Sequence, residues 1–218
     1  MPALALVVLR FVDPPRTAFM LQTLGEPGCE RIDFTWIDAD ALPGHVGWSA
    51  LAAEDQGFFE HSGFDYGSIR QALSARADGE RLRGASTISQ QVAKNLFLWS
   101  GRSWLRKGFE AYLTVWLELL WSKQRILEVY LNIAQFGRCT FGVEAASRQF
   151  FGKSARWLTA EESALLMTAL PSPTRRRPDA PSAVQLRRMQ WIRAHARTLE
   201  RVSPRDAWTR ARGAVPES

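Results

Sequence analysis

The sequence has few of the residues that build metal centres or disulfide frameworks. It contains two cysteines, Cys29 and Cys139, and three histidines among 218 residues. No Cys-x-x-Cys pair occurs, and no histidine stands at the spacing of a zinc ligand. A zinc site and a disulfide-dense scaffold are therefore not predicted. Both a single disulfide in an oxidising compartment and a pair of free thiols are compatible with the count.

The chain also lacks a long hydrophobic run. Residues 1–12 are apolar apart from Arg10, but a membrane-spanning helix needs about 20 apolar residues. The segment has neither a basic start nor a small-residue cleavage site, so the sequence as it stands predicts neither a span nor a complete signal peptide. Two interpretations stay open: an ordinary buried terminal segment, or the end of a membrane anchor that begins upstream.

What is abundant is apolar and basic. Apolar residues make up 46% of the chain and charged residues 23%, which predicts a globular protein with one substantial core. The net charge of +6 predicts attraction to polyanions, whether phosphates, anionic lipid headgroups or nucleic acid, without choosing among them.

Helical patterns dominate from Gly44 onward and no strand pattern is convincing, so the predicted class is mainly α. Prolines and glycines before that point indicate an irregular approach segment. The polar stretch 76–83 is predicted to be a mobile loop. Hydroxyl residues that can cap helices predict four helix starts, at Ser86-Thr87, Ser103, Ser122 and Thr159. The resulting division is a candidate anchor remnant at 1–12, the approach segment at 13–43, a helical domain at 44–200 and a C-terminal tail at 201–218.

An acidic pair, Glu54-Asp55, lies near the end of an apolar helix predicted from Val46 to Phe58. The helix dipole disfavours negative charge at this end and so raises a carboxyl pKa. A raised pKa suits a general base near neutral pH. The alternative is a solvated helix end, which is the usual setting of an isolated acidic pair.

The second candidate is the polar helix start at residues 84–95. Exposed N–H groups at a helix start bind anions, and Lys94 adds a cation on the face that also carries Gln90. This combination suits a diphosphate or sugar hydroxyls, whereas the alternative is an ordinary capped surface helix. The polar members of the stretch are Ser86, Thr87, Gln90, Gln91 and Lys94.

The third candidate is an acid among cations, on the helix that follows Ser103. The helical period places Glu110 at the edge of one broad apolar face, half-buried, and Glu118 on the opposite, solvated side. A half-buried acid beside cations is a candidate catalytic partner; the alternative is a set of surface ion pairs. The phosphate candidates are Arg102, Arg106 and Lys107. The broad apolar face comprises Leu105, Phe109, Tyr112, Leu113, Trp116, Leu117 and Leu120.

A dense aromatic stretch accompanies these cations. It comprises Phe97, Leu98, Trp99 and Trp104. Aromatic rings beside basic residues are typical of a membrane interface, and an ordinary hydrophobic anchor for a loop is the alternative.

Five motifs follow one another in residues 45–173. They are Glu54-Asp55-x-x-Phe58-x-x-His61-x-Gly63-x-Asp65, Gly84-x-Ser86-Thr87-Ile88-x-Gln90-Gln91, Arg106-Lys107-x-x-Glu110, Lys123-x-x-Ile126-Leu127-Glu128-x-Tyr130-Leu131-Asn132, and Phe150-Phe151-Gly152-Lys153. Their order and spacing resemble the family-51 glycosyltransferases, the peptidoglycan polymerase modules of penicillin-binding proteins and of monofunctional transglycosylases. Ser89, where the family usually has Thr, and Phe150, where Tyr is common, are mild departures.

The resemblance implies a lysozyme-like α-helical glycosyltransferase fold with a larger lobe and a smaller, membrane-apposed lobe. It implies that the domain at 44–200 polymerises lipid II into β-1,4-linked strands and releases undecaprenyl diphosphate, at the periplasmic face of the bacterial inner membrane. Glu54 would be the general base and Glu110 the acid that helps the diphosphate leave. The implied substrate-binding residues are Asp55, Ser86, Thr87, Gln90, Gln91, Lys94, Arg102, Arg106 and Lys107. Because no transpeptidase domain follows before Ser218, a monofunctional enzyme is expected.

No cofactor is predicted, although a divalent cation, Mg or Mn, near the diphosphate is left open and its ligands are unknown. Expected partners are lipid II, the growing strand, an anionic membrane surface and other cell-wall synthesis and division proteins.

Two rival functions are weighed against this one. A lysozyme or lytic transglycosylase would share the fold and the catalytic Glu, but its leaving group is a sugar and needs no cation cluster. A nucleic-acid-binding module would explain the charge, but no such motif is visible and Glu54 and Glu110 would repel phosphates.

Overall fold

The structure is a computed structural model that describes residues 2–77, 86–101 and 103–202. Its helices are α1 (Pro2–Leu9), α2 (Ala18–Thr23), α3 (Gly44–Glu54), α4 (Tyr66–Ala77), α5 (Ile88–Phe97), α6 (Trp104–Leu120), α7 (Lys123–Ile133), α8 (Val143–Phe151), α9 (Ala160–Met167) and α10 (Ala183–Val202). Short 3-10 turns occur at Ala39–Ala41 and Ala155–Trp157. The mainly α class is confirmed, and the division into two lobes stays a prediction.

Each predicted cap is confirmed. The hydroxyls of Thr87 and Thr159 accept hydrogen bonds from the third amide of α5 and α9 in full capping boxes, while Ser103 and Ser122 cap α6 and α7. Each hydroxyl replaces the acceptor that a first-turn amide lacks, so these starts depend on local chemistry alone.

The helix predicted from Val46 to Phe58 begins at Gly44 and ends four residues early. Asp55 leaves the helical conformation with φ −159° and ψ 79°, which makes Glu54 the last helical residue. The predicted loop at 76–83 begins inside α4 and otherwise lies outside the described residues, as do Arg102 and residues 203–218.

The expectation of no strand is wrong in one place. β1 (Asp33–Phe34) and β2 (Thr140–Phe141) pair in parallel, Asp33 with Thr140 and Phe34 with Phe141. Strands of two residues are too short to produce a readable alternation of apolar and polar side chains. Beside this pair a disulfide joins Cys29 to Cys139 with their Cα atoms 5.4 Å apart, so of the two alternatives for the cysteines the structure has the disulfide.

The approach segment is part of the core. Met20, Cys29, Ile32, Ile37 and Leu42 are buried in the same hydrophobic cluster as the domain helices. In a regular helix or sheet the backbone N–H and C=O groups bond to one another. In this irregular segment side chains provide hydrogen bonds to them instead.

Asn132 on α7 provides the central one of these bonds. Its Oδ1 accepts from the amide of Ile37 at 2.8 Å, and its Nδ2 donates to the Ile37 carbonyl at 2.9 Å and to the Glu128 carbonyl at 3.0 Å. A fully buried side chain amide thus replaces a strand neighbour for the approach segment.

Helix α1 lies against α6 and is held at its carbonyl end. Leu6 is fully buried, and Trp121 donates from Nε1 to its carbonyl at 2.7 Å. Arg125 donates to the carbonyls of Leu9 and Val12 at 3.0 and 3.1 Å. Within the described ranges, none of the helices is both long enough and apolar enough to cross a bilayer.

The apolar face predicted for α6 is split by the structure. Leu113 and Leu117 point to the core together with Glu110 and Thr114, whereas Leu105, Phe109 and Tyr112 are exposed. A helix with apolar residues on most of its surface does not reveal from periodicity alone which side meets the core.

The expectation that Glu118 is solvated is also wrong. Its carboxylate accepts from the hydroxyl of the buried Ser89 and pairs with Lys123 at 2.8 Å. The side of α6 that carries Glu118 faces α5, and the two polar partners there satisfy the charge.

Replacing Asn132 should destabilise the fold without touching the site. Asn132→Ala leaves the amide and the carbonyl of Ile37 unpaired inside the protein, which should lower the free energy of unfolding by roughly 2–4 kcal/mol. Urea denaturation followed by circular dichroism measures this change. Gln135→Ala, which loses a bond to the Arg138 carbonyl at the surface, is the control; equal effects of the two variants would contradict the role of Asn132.

Candidate active site

Glu54 is held at the end of α3 in a setting that favours its neutral form. Its Oε2 accepts from Gln91 Nε2 on α5 at 3.1 Å. Burial raises the pKa of the Glu54 carboxyl, the neighbouring Asp55 raises it further, and Gln91, Arg188 and Lys94 oppose the rise. The predicted direction is therefore confirmed, with desolvation as its largest cause.

Asp55 connects the end of α3 to the start of α5. The buried carboxylate accepts from Nε2 of His61 at 2.9 Å and from the backbone amide of Ile88 at 2.9 Å. Nδ1 of His61 accepts from the amide of Gly63 at 3.1 Å, which assigns the His61 proton to Nε2. The carboxylate oxygens of Asp55 and both ring nitrogens of His61 take part in hydrogen bonds within the protein. Asp55 and His61 therefore hold the loop that follows Glu54 in place.

Gly63 is required at the point where this loop meets α6. Its φ is +88°, a conformation that favours glycine, and a Cβ there would lie 2.7 Å from Cγ2 of Thr114. The Gly63 carbonyl accepts from the Thr87 hydroxyl at 2.7 Å. The loop after Glu54 is thereby pressed against both α5 and α6.

The polar start of α5 is divided between internal and outward roles. Thr87 and Gln90 are buried, and Gln90 Oε1 accepts from the Thr87 amide at 3.1 Å to complete the capping box. Ser86 is exposed, and Gln91 and Lys94 are half-buried. Gln90 therefore does not present its carbonyl oxygen on the Lys94 side, while Gln91 reaches Glu54.

Glu110 lies in a cluster of cations. It is 3% exposed and is therefore more buried than predicted. Arg106 Nη1 lies 2.7 Å from its Oε2, and Lys107 pairs with its Oε1. Arg106 also donates from Nε to the Gly101 carbonyl at 2.9 Å, so its guanidinium is oriented by two acceptors.

Lys94 links the two acidic positions. Burial lowers the pKa of its ammonium group, and the charges of Arg106 and Lys107 lower it further, whereas Glu110 and Glu54 oppose the decrease. The charge of Lys94 is therefore influenced by both carboxylates.

Two residues near Glu54 were missed by sequence reasoning. Arg188 on α10 donates to the Ala53 carbonyl at 3.0 Å, although 135 positions separate the two along the chain. Tyr130 is buried, its hydroxyl has no hydrogen-bond partner among the described residues, and burial raises its pKa well above the usual value, with Glu54 and Asp55 adding to the effect. The Tyr130 motif was visible in the sequence, but no local signal connected Arg188 to Glu54.

The described residues contain no group of three or more His, Cys, Asp or Glu side chains that converge to hold a metal. Glu110 is already paired with two cations. The positive charges of Arg106, Lys107 and Lys94 suit an anionic ligand.

The chain is similar to known proteins over most of its length. Residues 21–197 match the family described as Transglycosylase, and the chain belongs to this family. It is 52% identical to the biosynthetic peptidoglycan transglycosylase of Shewanella frigidimarina (strain NCIMB 400) over 190 residues, which cover 87% of this chain and 82% of the relative. It is 57% identical over 165 residues to the protein of the same name from Klebsiella oxytoca, covering 75% and 68% of the two chains. The Marinomonas sp. (strain MWYL1) relative is 48% identical over 196 residues, or 90% and 85%.

Proposed function

We propose that the protein is a peptidoglycan glycosyltransferase that polymerises lipid II into β-1,4-linked glycan strands and releases undecaprenyl diphosphate. One observation carries the proposal: the site combines a half-buried Glu54 with a raised pKa and a separate cation cluster around Glu110, and the charges of both carboxylates act on Lys94. Family membership and the names of the relatives support the reaction class.

In this proposal Glu54 is the general base. It removes the proton from the 4-hydroxyl of the acceptor sugar as that oxygen forms a bond to the donor's anomeric carbon. The raised pKa makes Glu54 a stronger proton acceptor than an ordinary carboxylate. The hydrogen bond from Gln91 at 3.1 Å orients the carboxylate, and Asp55, Thr87 and Gln90 contribute by holding α5 against the end of α3.

The cation cluster receives the leaving group. As the anomeric carbon–oxygen bond breaks with inversion, the electron pair goes to the diphosphate, whose growing charge requires stabilisation more than protonation. Lys94, Arg106 and Lys107 supply positive charge there, and Arg102 and Ser86 complete the proposed substrate contacts. Glu110 orients Arg106 and Lys107 through its two short ion pairs and helps the diphosphate depart.

The cation cluster also separates this function from glycan cleavage. A lysozyme-like hydrolase expels a neutral sugar and uses a second carboxyl group instead of cations at the leaving group. The described site has its second acid, Glu110, already bound by Arg106 and Lys107, which favours transfer from a diphosphate donor.

The outer surface of α6 supports attachment to a membrane. Its solvent-facing side is apolar over the whole length of the helix, and Trp104 is 91% exposed. The exposed apolar residues of this helix are Trp104, Leu105, Phe109, Tyr112, Val115 and Leu119. Of the four-residue aromatic stretch, Trp99 belongs to this surface through its ring contact with Phe109, whereas Leu98 is buried.

Helix α1 extends the same kind of surface, because it packs against α6 and leaves Leu4, Val8 and Phe11 exposed. Arg10 lies over the ring of Phe11 at 5.3 Å, so a cation stands beside the apolar residues. An apolar surface edged by basic groups fits the surface of a bilayer with anionic lipids. We propose this surface as the contact with the bacterial inner membrane, where the polyprenyl tail of lipid II resides.

Glu54→Gln should abolish polymerisation and leave the fold intact. General-base removal lowers the rate by roughly 10²–10⁴-fold, measured with labelled lipid II. The pKa of Glu54 in the folded state lies above the ordinary 4.5. As the pH rises from 4.5 through the raised pKa, ionisation of Glu54 destabilises the folded state. The variant should therefore be at least as stable as the wild type at pH 7. The wild-type rate should fall with decreasing pH at a midpoint above 4.5. Glu60→Gln, at an exposed acid, is the control, and near wild-type turnover by Glu54→Gln would reject the assignment.

Lys94→Ala should weaken binding of the diphosphate. Loss of one charge-assisted contact costs roughly 1.5–3 kcal/mol, or about 10–150-fold in affinity, for the diphosphate-mimicking inhibitor moenomycin measured by fluorescence polarisation. Lys153→Ala, which removes a surface lysine paired with Glu162, should leave the affinity unchanged. Equal affinities for the two variants would place the diphosphate elsewhere.

Trp104→Ser combined with Leu105→Ser should reduce flotation with anionic liposomes and turnover of full-length lipid II. Turnover of a short-chain, water-soluble analogue should change much less, because that substrate does not need the bilayer. Trp157→Ser, at a tryptophan that is 69% exposed on the 3-10 turn before α9, controls for loss of a surface indole. Equal loss on both substrates with normal flotation would show that the α6 residues serve the fold or the active site and not the membrane.

A further inference from the structure

Helix α10 brings a positive charge to the end of α3. Arg188 donates from Nη2 to the carbonyl of Ala53, the residue before Glu54, at 3.0 Å. Its charge lowers the pKa of Glu54 against the larger rise caused by burial. The position of one guanidinium therefore affects the protonation of the carboxyl group to which the proposed function gives the central role.

The Arg188 guanidinium lies on an aromatic ring of its own helix. Its Cζ is 4.1 Å from the ring centroid of Trp191, and the ring of His195 stacks on Trp191 at 3.8 Å with an interplanar angle of 27°. The positions i, i+3 and i+7 form one row along a helix. Nδ1 of His195 lies 2.8 Å from the Trp191 carbonyl, and because a carbonyl only accepts, the proton is on Nδ1.

The row formed by Arg188, Trp191 and His195 is not on the side of α10 that faces the core. Trp191 is 36% exposed, whereas the residues of α10 that face the core are Gln185, Met189, Ile192 and Ala196. An indole that is not buried and donates no hydrogen bond within the described part of the chain still restricts the arginine above it, because a flat cation is attracted to a ring face.

We propose that Trp191 is a positioning residue that holds the Arg188 guanidinium against the end of α3 and thereby sets the positive charge beside Glu54. The catalytic consequence rests on the proposed function, in which Glu54 is the base. The positioning of Arg188 by Trp191 does not rest on the proposed function, because it sets the charge near the Glu54 carboxyl group whether or not Glu54 is a base.

The other groups that face Glu54 come from different elements. Gln91 and Lys94 lie on α5, Tyr130 lies on α7, and Asp55 follows Glu54 directly. Among the described residues none of them shares a hydrogen bond, an ion pair or a ring contact with Trp191. A change at Trp191 therefore reaches Glu54 through Arg188.

The test measures the titration of Glu54 by ¹³C NMR of glutamate-labelled full-length protein. Trp191→Leu removes the ring on which the guanidinium lies, and a positive charge that is held less closely to Glu54 stabilises the carboxylate less. The pKa of Glu54 should therefore rise. Trp191→Gln, which places a polar side chain at this solvent-facing position, should raise the Glu54 pKa by the same amount. Trp191→Phe keeps a ring and should leave the Glu54 pKa close to the wild-type value. Trp157→Leu is the control and should not change the Glu54 pKa.

A double-mutant cycle with Arg188→Gln tests whether the effect of Trp191 on the Glu54 pKa depends on Arg188. Arg188→Gln should raise the Glu54 pKa more than Trp191→Leu does, and adding Trp191→Leu to it should cause no further rise. An unchanged pKa in Trp191→Leu, or a rise that persists without Arg188, would overturn the proposal.

Rates of lipid II turnover distinguish this inference from the proposed function. If Glu54 is the base, the acid limb of the pH–rate profile moves upward with its pKa in Trp191→Leu. A shift of the NMR titration with an unmoved rate profile would support the positioning by Trp191 and reject Glu54 as the base.

Discussion

The carboxylate of Asp55 makes the contact on which the rest of the site depends. It receives hydrogen bonds from His61 and from the first amide of α5, both at 2.9 Å, and so fastens the end of α3 to the start of another helix. Without that junction neither helix would bring its functional side chain to the other. Glu54 precedes Asp55 directly, and Gln91 lies one turn into α5, which explains why their side chains meet. A buried carboxylate bound by two donors is costly to disrupt, since its charge would be left unpaired in the interior.

Burial acts in opposite directions on the two sides of the site. It raises the pKa of Glu54 and lowers that of Lys94, because in each case desolvation favours the neutral form. The charged neighbours work against these shifts, with Arg188 on the acid and Glu110 on the lysine. In the proposed function Glu54 accepts a proton and Lys94 faces the diphosphate, and these two neighbours that oppose the pKa shifts come from α10 and α6.

Helix α6 has an inner side that packs in the protein and an outer side that is exposed to solvent. Its inner side carries Glu110 and the buried Leu113 and Leu117, while its outer side is apolar and exposed. The same helix therefore holds the cation cluster and offers an apolar surface that we propose meets the membrane. Hydrogen bonds from Trp121 and Arg125 to the carbonyls of Leu6 and Leu9 hold α1 beside this region.

The sequence by itself determined the mainly α class, the four capped helix starts and the location of Glu54 near a helix end, because each depends on residues within a few positions of one another. It also brought out the motifs that resemble the family to which the chain belongs. Only the tertiary structure decided which side of α6 meets the core, that Glu118 is paired with Lys123, that Cys29 is bonded to Cys139, and that Arg188 stands beside Glu54. These features join residues that are distant in sequence or sit on different helices, and the periodicity of one helix carries no information about which neighbour packs against it.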